Sequence, residues 1–378
     1  MNVFFLTRSY LPAMGGGVLI RKSQVELLQR SGFQVTVVTP NYQQKELLAE
    51  QNVIRVPLVY NFRASYFLER VGIYEDYLDK WVSAAYKYLL NKVQKSDIVF
   101  ATSGGELACF KLGSLLKEKL GCKFVVNFQD PLDYGTVNGV KIDNRFHVSR
   151  DQQEKKYLRN VDLIITSSQV NEDSLKNKYP YLAGRIVNSY FGYIKKVDLI
   201  QKQTASKLRI AYGGVFGTLQ SPEILAKALE GMDGVEAHFI GNYTYHKPIH
   251  PFLNKFNFMQ FLPRDEFLKF MMQNIDVGFV SLTSDYLGAC VPSKLYEYIN
   301  LALPILGALP AGDAVDIINQ NGYGVACKYN DLDSLRHAIQ QLRDKETLCK
   351  FQENILEDRD SWSMEERIKE VAQWLRDL

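Results

Sequence analysis

The run Cys290-Val-Pro-Ser-Lys-Leu-Tyr-Glu-Tyr-Ile-Asn300 gathers residue types that suit a nucleotide phosphate. Pro292 and Ser293 read as a helix start, with Ser293 at the N-cap. Lys294 then falls in the first turn, where an ammonium opposes the helix dipole unless an anion such as a diphosphate offsets it. Glu297, one turn on, is spaced to accept hydrogen bonds from a ribose diol. A capped surface helix is the plainer reading of the same residues. Two glycine turns point the same way. Gly15-Gly16-Gly17 lies where a strand meets a helix, and Gly213-Gly214 follows a later strand in the same manner. Glycine lets the backbone approach a ligand there, and free N–H groups at a helix start favour a phosphate. Neither turn is GxGxxG or a Walker A loop, so tight packing turns compete with the binding reading. Asp130, at a strand end beside Pro131, could orient or deprotonate an acceptor hydroxyl, or cap a turn. The five histidines, His147, His238, His246, His250 and His337, show no metal-ligand spacing, and Pro248 breaks the one i, i+4 pair. No metal site is expected. His147 could border an acceptor.

The elements that position these residues alternate strand and helix. Val3–Leu6 is a continuous apolar run, the helix opened by Gly16 and Gly17 follows, and Val35–Thr39 is β-branched throughout, which makes a βαβ unit. Further strands end at Thr102-Ser103-Gly104-Gly105, at Gln129-Asp130-Pro131 and at Ser167-Ser168. Such turns at strand ends are where an open parallel sheet holds ligands. The polar stretch 195–207 reads as a linker, and a second strand–helix series follows it. Expected boundaries are 1–197 for a first domain, completed by a C-terminal helix over 361–378, and 205–360 for a second.

A chain of 378 residues is long for one core, and 46% apolar with 23% charged residues is the balance of a globular protein. The formal charge of +3 does not suggest a nucleic-acid binder. Its distribution is uneven: residues 1–200 hold 27 Lys+Arg against 19 Asp+Glu, a net of +8, and the rest carries −5. That asymmetry fits a first domain that meets phosphate groups or lipid headgroups, or it is chance between two solvated surfaces. Residues 62–93 mix aromatics with Arg and Lys, as a membrane-interface segment does, although an ordinary amphipathic helix packed on its own core reads the same way. The N-terminal apolar run is too short for a signal peptide, and no stretch reaches the ~18 apolar residues of a spanning helix. Five cysteines without CxxC spacing fit a reducing cytosol.

Pro292-Ser-Lys-Leu-Tyr-Glu-Tyr298 followed by Pro304-Ile305 resembles the donor-site helix of GT-B glycosyltransferases, most closely the retaining family 4. Gly32-Phe-Gln-Val-Thr-Val-Val38, Val161-Asp-Leu-Ile-Ile-Thr-Ser-Ser168, Phe239-Ile-Gly-Asn242, Leu262–Leu268 and Asp276-Val-Gly-Phe-Val280 resemble other family segments in the same order. The resemblance implies an α/β fold with two Rossmann-like, doubly wound domains facing a central cleft. It implies a nucleoside diphosphate sugar as donor, with Glu297 on the ribose, Ser293 and Lys294 near the diphosphate, and Gly16, Gly17, Gly213 and Gly214 approaching donor atoms. It also implies no cofactor and no metal. The chain departs from the family at Ala289, Val215, Gln220 and Gln129, where many members carry Glu, Arg, Lys and His. Lys294 and Arg264 are left as cations for the leaving group.

The function expected is transfer of a sugar, from a UDP-sugar in preference to a GDP-sugar, to a hydroxyl of a glycan or lipid-linked acceptor in surface polysaccharide biosynthesis. The alternatives are a non-catalytic nucleotide-sugar or partner-binding protein of the same fold, and a sugar-nucleotide 2-epimerase. The expected location is the cytoplasm, with a peripheral contact to the inner face of the membrane through the basic first domain and no nucleic-acid partner.

Overall fold

Val3, Phe5 and Leu6 are fully buried, and this strand, apolar on both faces, takes an interior place in an eight-stranded sheet. The computed structural model describes residues 1–13, 15–59, 61–142 and 150–378, in two units: Met1–Phe191 with Met364–Leu378, and Gly192–Ser363.

The first unit runs β1 (Asn2–Leu6), α1 (Gly16–Arg30), β2 (Gln34–Tyr42), β3 (Leu48–Glu50), β4 (Val53–Leu58), α2 (Phe62–Arg70), α3 (Asp79–Leu89), β5 (Ile98–Gly104) and α4 (Ala108–Leu120). It continues through β6 (Lys123–Asp130), a small hairpin of β7 (Thr136–Val137) and β8 (Val140–Lys141), α5 (Asp151–Leu158), β9 (Leu163–Thr166), α6 (Gln169–Lys178) and β10 (Ile186–Asn188). The sheet order is β10-β9-β6-β5-β1-β2-β4-β3, parallel except for β3 against β4. Phe5 sits in register with Val37 on one side and Phe100 on the other, and the two phenyl rings stack at 5.2 Å. The chain starts at β1, winds outward through β2 and β4, then returns to build β5, β6, β9 and β10 on the opposite side. The boundary between β1 and β5 is therefore the switch point, where a crevice opens beyond the strand ends.

Residues 62–93 divide into two helices of opposite character. α3 buries Trp81, Val82, Ala85 and Leu89 in the core, as an ordinary amphipathic helix does. α2 buries only Ser65 and Glu69. A buried polar network holds it that way: Glu69 pairs with Arg150, and Arg150 reaches Asp76 at 3.4 Å. Asp76 in turn accepts from the Leu107 and Ala108 N–H groups at 2.7 and 3.3 Å, satisfying the start of α4 from a distant part of the chain.

The second unit contains β11 (Leu208–Gly213), α7 (Glu223–Leu229), β12 (Val235–Ile240), β13 (Asn257–Met259), α8 (Arg264–Asn274), β14 (Val277–Ser281), α9 (Ser293–Asn300), β15 (Ile305–Leu309), α10 (Asp313–Gln320), β16 (Gly324–Lys328), α11 (Leu332–Gln341) and α12 (Lys345–Asp358). Its six strands are all parallel in the order β13-β12-β11-β14-β15-β16, again doubly wound, with the switch between β11 and β14. Tyr212, Phe239, Phe279 and Leu306 fill its core. Residues 195–197 lie along the end of α9: Asn300 donates to the Lys195 carbonyl at 2.9 Å and accepts from the Val197 N–H at 3.3 Å. Arg359 donates to the Asn300 carbonyl at 2.8 Å and also to the Val197 carbonyl. The last helix, α13 (Met364–Arg376), belongs to the first unit, where Arg376 donates to the Ser31 carbonyl at 2.8 Å and packs over Phe33. Among the described residues, no helix is long and apolar enough to cross a membrane.

Candidate functional site

In the second unit the expected residues gather beyond the carboxyl end of β11. That strand runs straight into Gly213-Gly214, and the Gly214 N–H donates to the Ile240 carbonyl at 2.8 Å. Gly214 has φ +132°, a backbone region that disfavours side chains, and a Cβ there would stand 2.6 Å from Lys294 Cε and 3.1 Å from its Nζ. The glycine leaves room for the lysine to lie across the turn. Lys294 Nζ sits 4.9 Å from the centre of the Tyr212 ring, a cation–π contact. Burial pulls its ammonium down from 10.5 to about 8. A desolvated cation of this kind is most comfortable when an anion arrives.

α9 begins at Ser293, which is exposed and is its first helical residue. Pro292 holds the cap position, where the sequence placed Ser293, and no side chain caps the helix. Proline fits that extended conformation and has no side-chain acceptor, so the first N–H groups of the helix keep their donor capacity for a ligand. Glu297 lies three residues beyond Lys294, on the same helical face. It pairs with Arg264, the first residue of α8, whose Nη2 reaches both carboxylate oxygens at 3.1 and 2.9 Å. Arg264 thus engages Glu297. Phe267, also on α8, lies where a Cβ on Gly213 would be, 2.5 Å from its ring atoms. Gly213, Gly214, Lys294, Glu297, Arg264 and Ser293 therefore converge on one edge of one sheet. Ala289 is buried in the turn before α9, and Val215 is 69% exposed.

The remaining expected residues lie at the corresponding edge of the first unit. Gly16 and Gly17 are the first residues of α1, which also lacks a side-chain cap. Asp130 is exposed at the end of β6. Beside it stand groups that the sequence reading passed over. Arg8 follows β1 and its Nη1 lies 3.3 Å from Glu106 Oε2, an attraction that raises the guanidinium pKa further. Glu106 is buried, which pushes its carboxyl up, and it accepts from the Gly104 N–H at 3.0 Å. Arg21 of α1 is 3% exposed, donates to Ser9 Oγ at 2.9 Å, and has a buried Nε with no partner. A Cβ on Gly104 would lie 3.1 Å from Arg21 Nη2, 3.5 Å from Arg8 Nη2 and 3.8 Å from Asp130 Oδ2. Two guanidiniums and a carboxylate thus face the space that one missing side chain leaves at the end of β5. The position of Arg8, directly after the first strand, was the available signal, since strand ends are where such sheets bind. His147 lies outside the described residues. Among the described residues no group of His, Cys, Asp and Glu is placed to hold a metal ion.

Chemically, the second unit offers an ammonium, the start of a helix with no side-chain cap and a carboxylate, and the first offers two arginines beside a carboxylate. Residues 14–188 match the family described as Glycosyltransferase Family 4. No curated protein sequence matches the chain. Solved structures resemble it over its whole length. Sucrose-phosphate synthase from Thermosynechococcus elongatus shares 15% identity with a TM-score of 0.72, covering 100% of this chain and 98% of that one. HepE of Anabaena in complex with UDP-glucose shares 14% at a TM-score of 0.68, with 100% of both chains covered. The apo lipopolysaccharide outer core galactosyltransferase WaaB shares 13% at 0.68, again with 100% of both chains. These likenesses establish the GT-B fold, and the match over residues 14–188 is to a family of glycosyltransferases.

Proposed function

We propose that this chain is a glycosyltransferase that moves a sugar from a nucleoside diphosphate sugar to a hydroxyl of a glycan or lipid-linked acceptor, with retention and without a metal ion. The observation that carries the reading is Lys294, a desolvated ammonium held over Tyr212 at the uncapped start of α9. As the glycosidic bond to the diphosphate breaks, negative charge grows on the leaving oxygens. A fixed ammonium and oriented amides stabilise that charge with little reorganisation, and this is the work a metal would otherwise do. Glu297 accepts from the ribose hydroxyls, and Arg264 fixes the carboxylate that does so. In the first unit Asp130 faces the acceptor hydroxyl as base or orienting group, with the Gly16-Gly17 turn near the transferred sugar. The uridine nucleotide is favoured over guanosine because the similar Anabaena structure holds UDP-glucose. The setting proposed is surface polysaccharide synthesis in the cytoplasm, at the inner face of the membrane.

Calorimetry with UDP, GDP and their sugars tests the donor, followed by turnover of Lys294→Ala and Glu297→Ala. Tight uridine binding that both variants lose is the expected result. Wild-type turnover in both variants removes this assignment of roles.

A further inference from the structure

α2 is turned inside out. Glu69 and Ser65 point into the protein at 6% and 3% exposure, while Phe62, Tyr66 and Phe67 stand out at 50%, 40% and 62%. The flanking residues continue the outward apolar surface, with Val59 at 47%, Val71 at 50% and Ile73 at 68%. Orientation here is not free. The buried pair of Glu69 with Arg150, tied to Asp76, fixes which side of the helix faces inward, because turning Glu69 outward would take a partner from the buried Arg150 guanidinium. A contiguous apolar surface left in water is a contact surface.

The charges say which contact. Across residues 59–74 the only acid is Glu69, which is buried, and the only bases are Arg63 and Arg70, both exposed. The surrounding residues 1–200 carry +8. Aromatics between arginines, with no exposed acid, match the headgroup region of an anionic bilayer, where rings sit among the acyl boundaries and guanidiniums meet phosphates. We infer that α2 and its flanks dock the first unit on an anionic lipid surface, with Phe67 and Ile73 inserted and Arg63 in the headgroup layer. The helix lies on the surface and does not cross it. Tyr66 stacks on Tyr77 at 4.7 Å, and Tyr77 is hydrogen-bonded to Arg8 of the strand-edge cluster. The docked face therefore adjoins the groups assigned to the acceptor, which deepens the lipid-linked reading given above and rests on it for its purpose, though not for its test.

The test is co-sedimentation of the full chain with vesicles of phosphatidylcholine alone and of equimolar phosphatidylcholine and phosphatidylglycerol. Binding to the anionic vesicles only, weakened by salt, is expected. Phe67→Asp should abolish it, and Arg63→Gln should weaken it about fivefold. Lys87→Gln, an exposed change of equal charge on α3, should leave it unchanged. All three side chains are exposed, so unchanged circular dichroism and melting are expected to accompany each variant. Absence of anionic-vesicle binding, equal binding to both vesicles, or indifference to Phe67→Asp overturns the proposal. So does a lipid-free dimer that Phe67→Asp dissociates, since a second copy would then cover the patch. The readout needs no donor, so nucleotide binding succeeds or fails independently of it.

Discussion

A single nitrogen of Arg264 holds both carboxylate oxygens of Glu297, bridging the first turn of α8 to the middle of α9. The pair is partly solvated, with Arg264 side chain 46% exposed, so it adds little to folding, about 0–1 kcal/mol. Its value is orientation of a carboxylate that a diol would use. Glu297→Gln should weaken nucleotide-sugar binding about 10- to 100-fold, the loss of charge-assisted hydrogen bonds, with the melting temperature nearly unchanged. Arg264→Met should weaken it less. Calorimetry and thermal melts on both variants check this, and a larger effect at Arg264 would reverse the assignment.

Lys294 should make donor binding fall with alkaline pH. With its ammonium at about 8, the charge that meets a diphosphate is present below that pH and is lost as pH rises through it. Affinity for a nucleoside diphosphate should then drop, approaching tenfold per pH unit, in titrations carried above about pH 8. Folding responds in the opposite sense. The folded value lies below the ordinary 10.5, so the unfolded chain holds more protons between those limits and stability from this group rises with pH across that window. Lys294→Met should abolish the binding trend and, near neutral pH, stabilise the fold by roughly 1–3 kcal/mol in denaturant titration.

Gly214→Ala tests the turn. The substitution meets φ +132° and a Lys294 side chain 2.6 Å away, so about 1–3 kcal/mol of stability should be lost and the lysine displaced. Chemical denaturation reads the first effect and UDP titration the second. A variant with native stability and affinity would show that the turn is permissive.

Asp130→Asn should lower kcat about 10²- to 10⁴-fold if the carboxylate takes the acceptor proton, with donor affinity retained. Steady-state kinetics and calorimetry on the same preparation separate the two. A change confined to melting temperature would make Asp130 a turn residue.

Chelation should leave turnover unchanged, because Lys294 and the start of α9 supply the compensating charge in this proposal. Assays with and without EDTA read it directly, and restoration by a divalent ion after loss would contradict it.

The strand–helix alternation was legible because parallel strands buried on both faces read as unbroken apolar runs, as Val3–Leu6 and Leu163–Ile165 do. The α9 segment was legible because its residue types sit within two helical turns, although Pro292 and not Ser293 takes the cap position. The Arg8–Glu106 pair was not, since its members lie far apart in sequence and meet only when β1 and β5 become neighbours. The same reason hid the orientation of α2. Its local pattern is amphipathic either way round, and only Arg150, remote along the chain, decides that Glu69 turns inward. Local spacing reveals an element, whereas partners supplied from elsewhere decide what it presents.

Asn300 and Arg359 clamp the far end of α9 to residues 195–197, a stretch with no assigned part in chemistry. Lys294 and Glu297 ride on that helix, so their aim is inherited from a fastening at its opposite tip. Drift in this remote buckle would surface as poor substrate use in an otherwise intact, well-folded protein, and a screen for weakened donor recognition should recover lesions there as readily as among the residues that touch the sugar nucleotide.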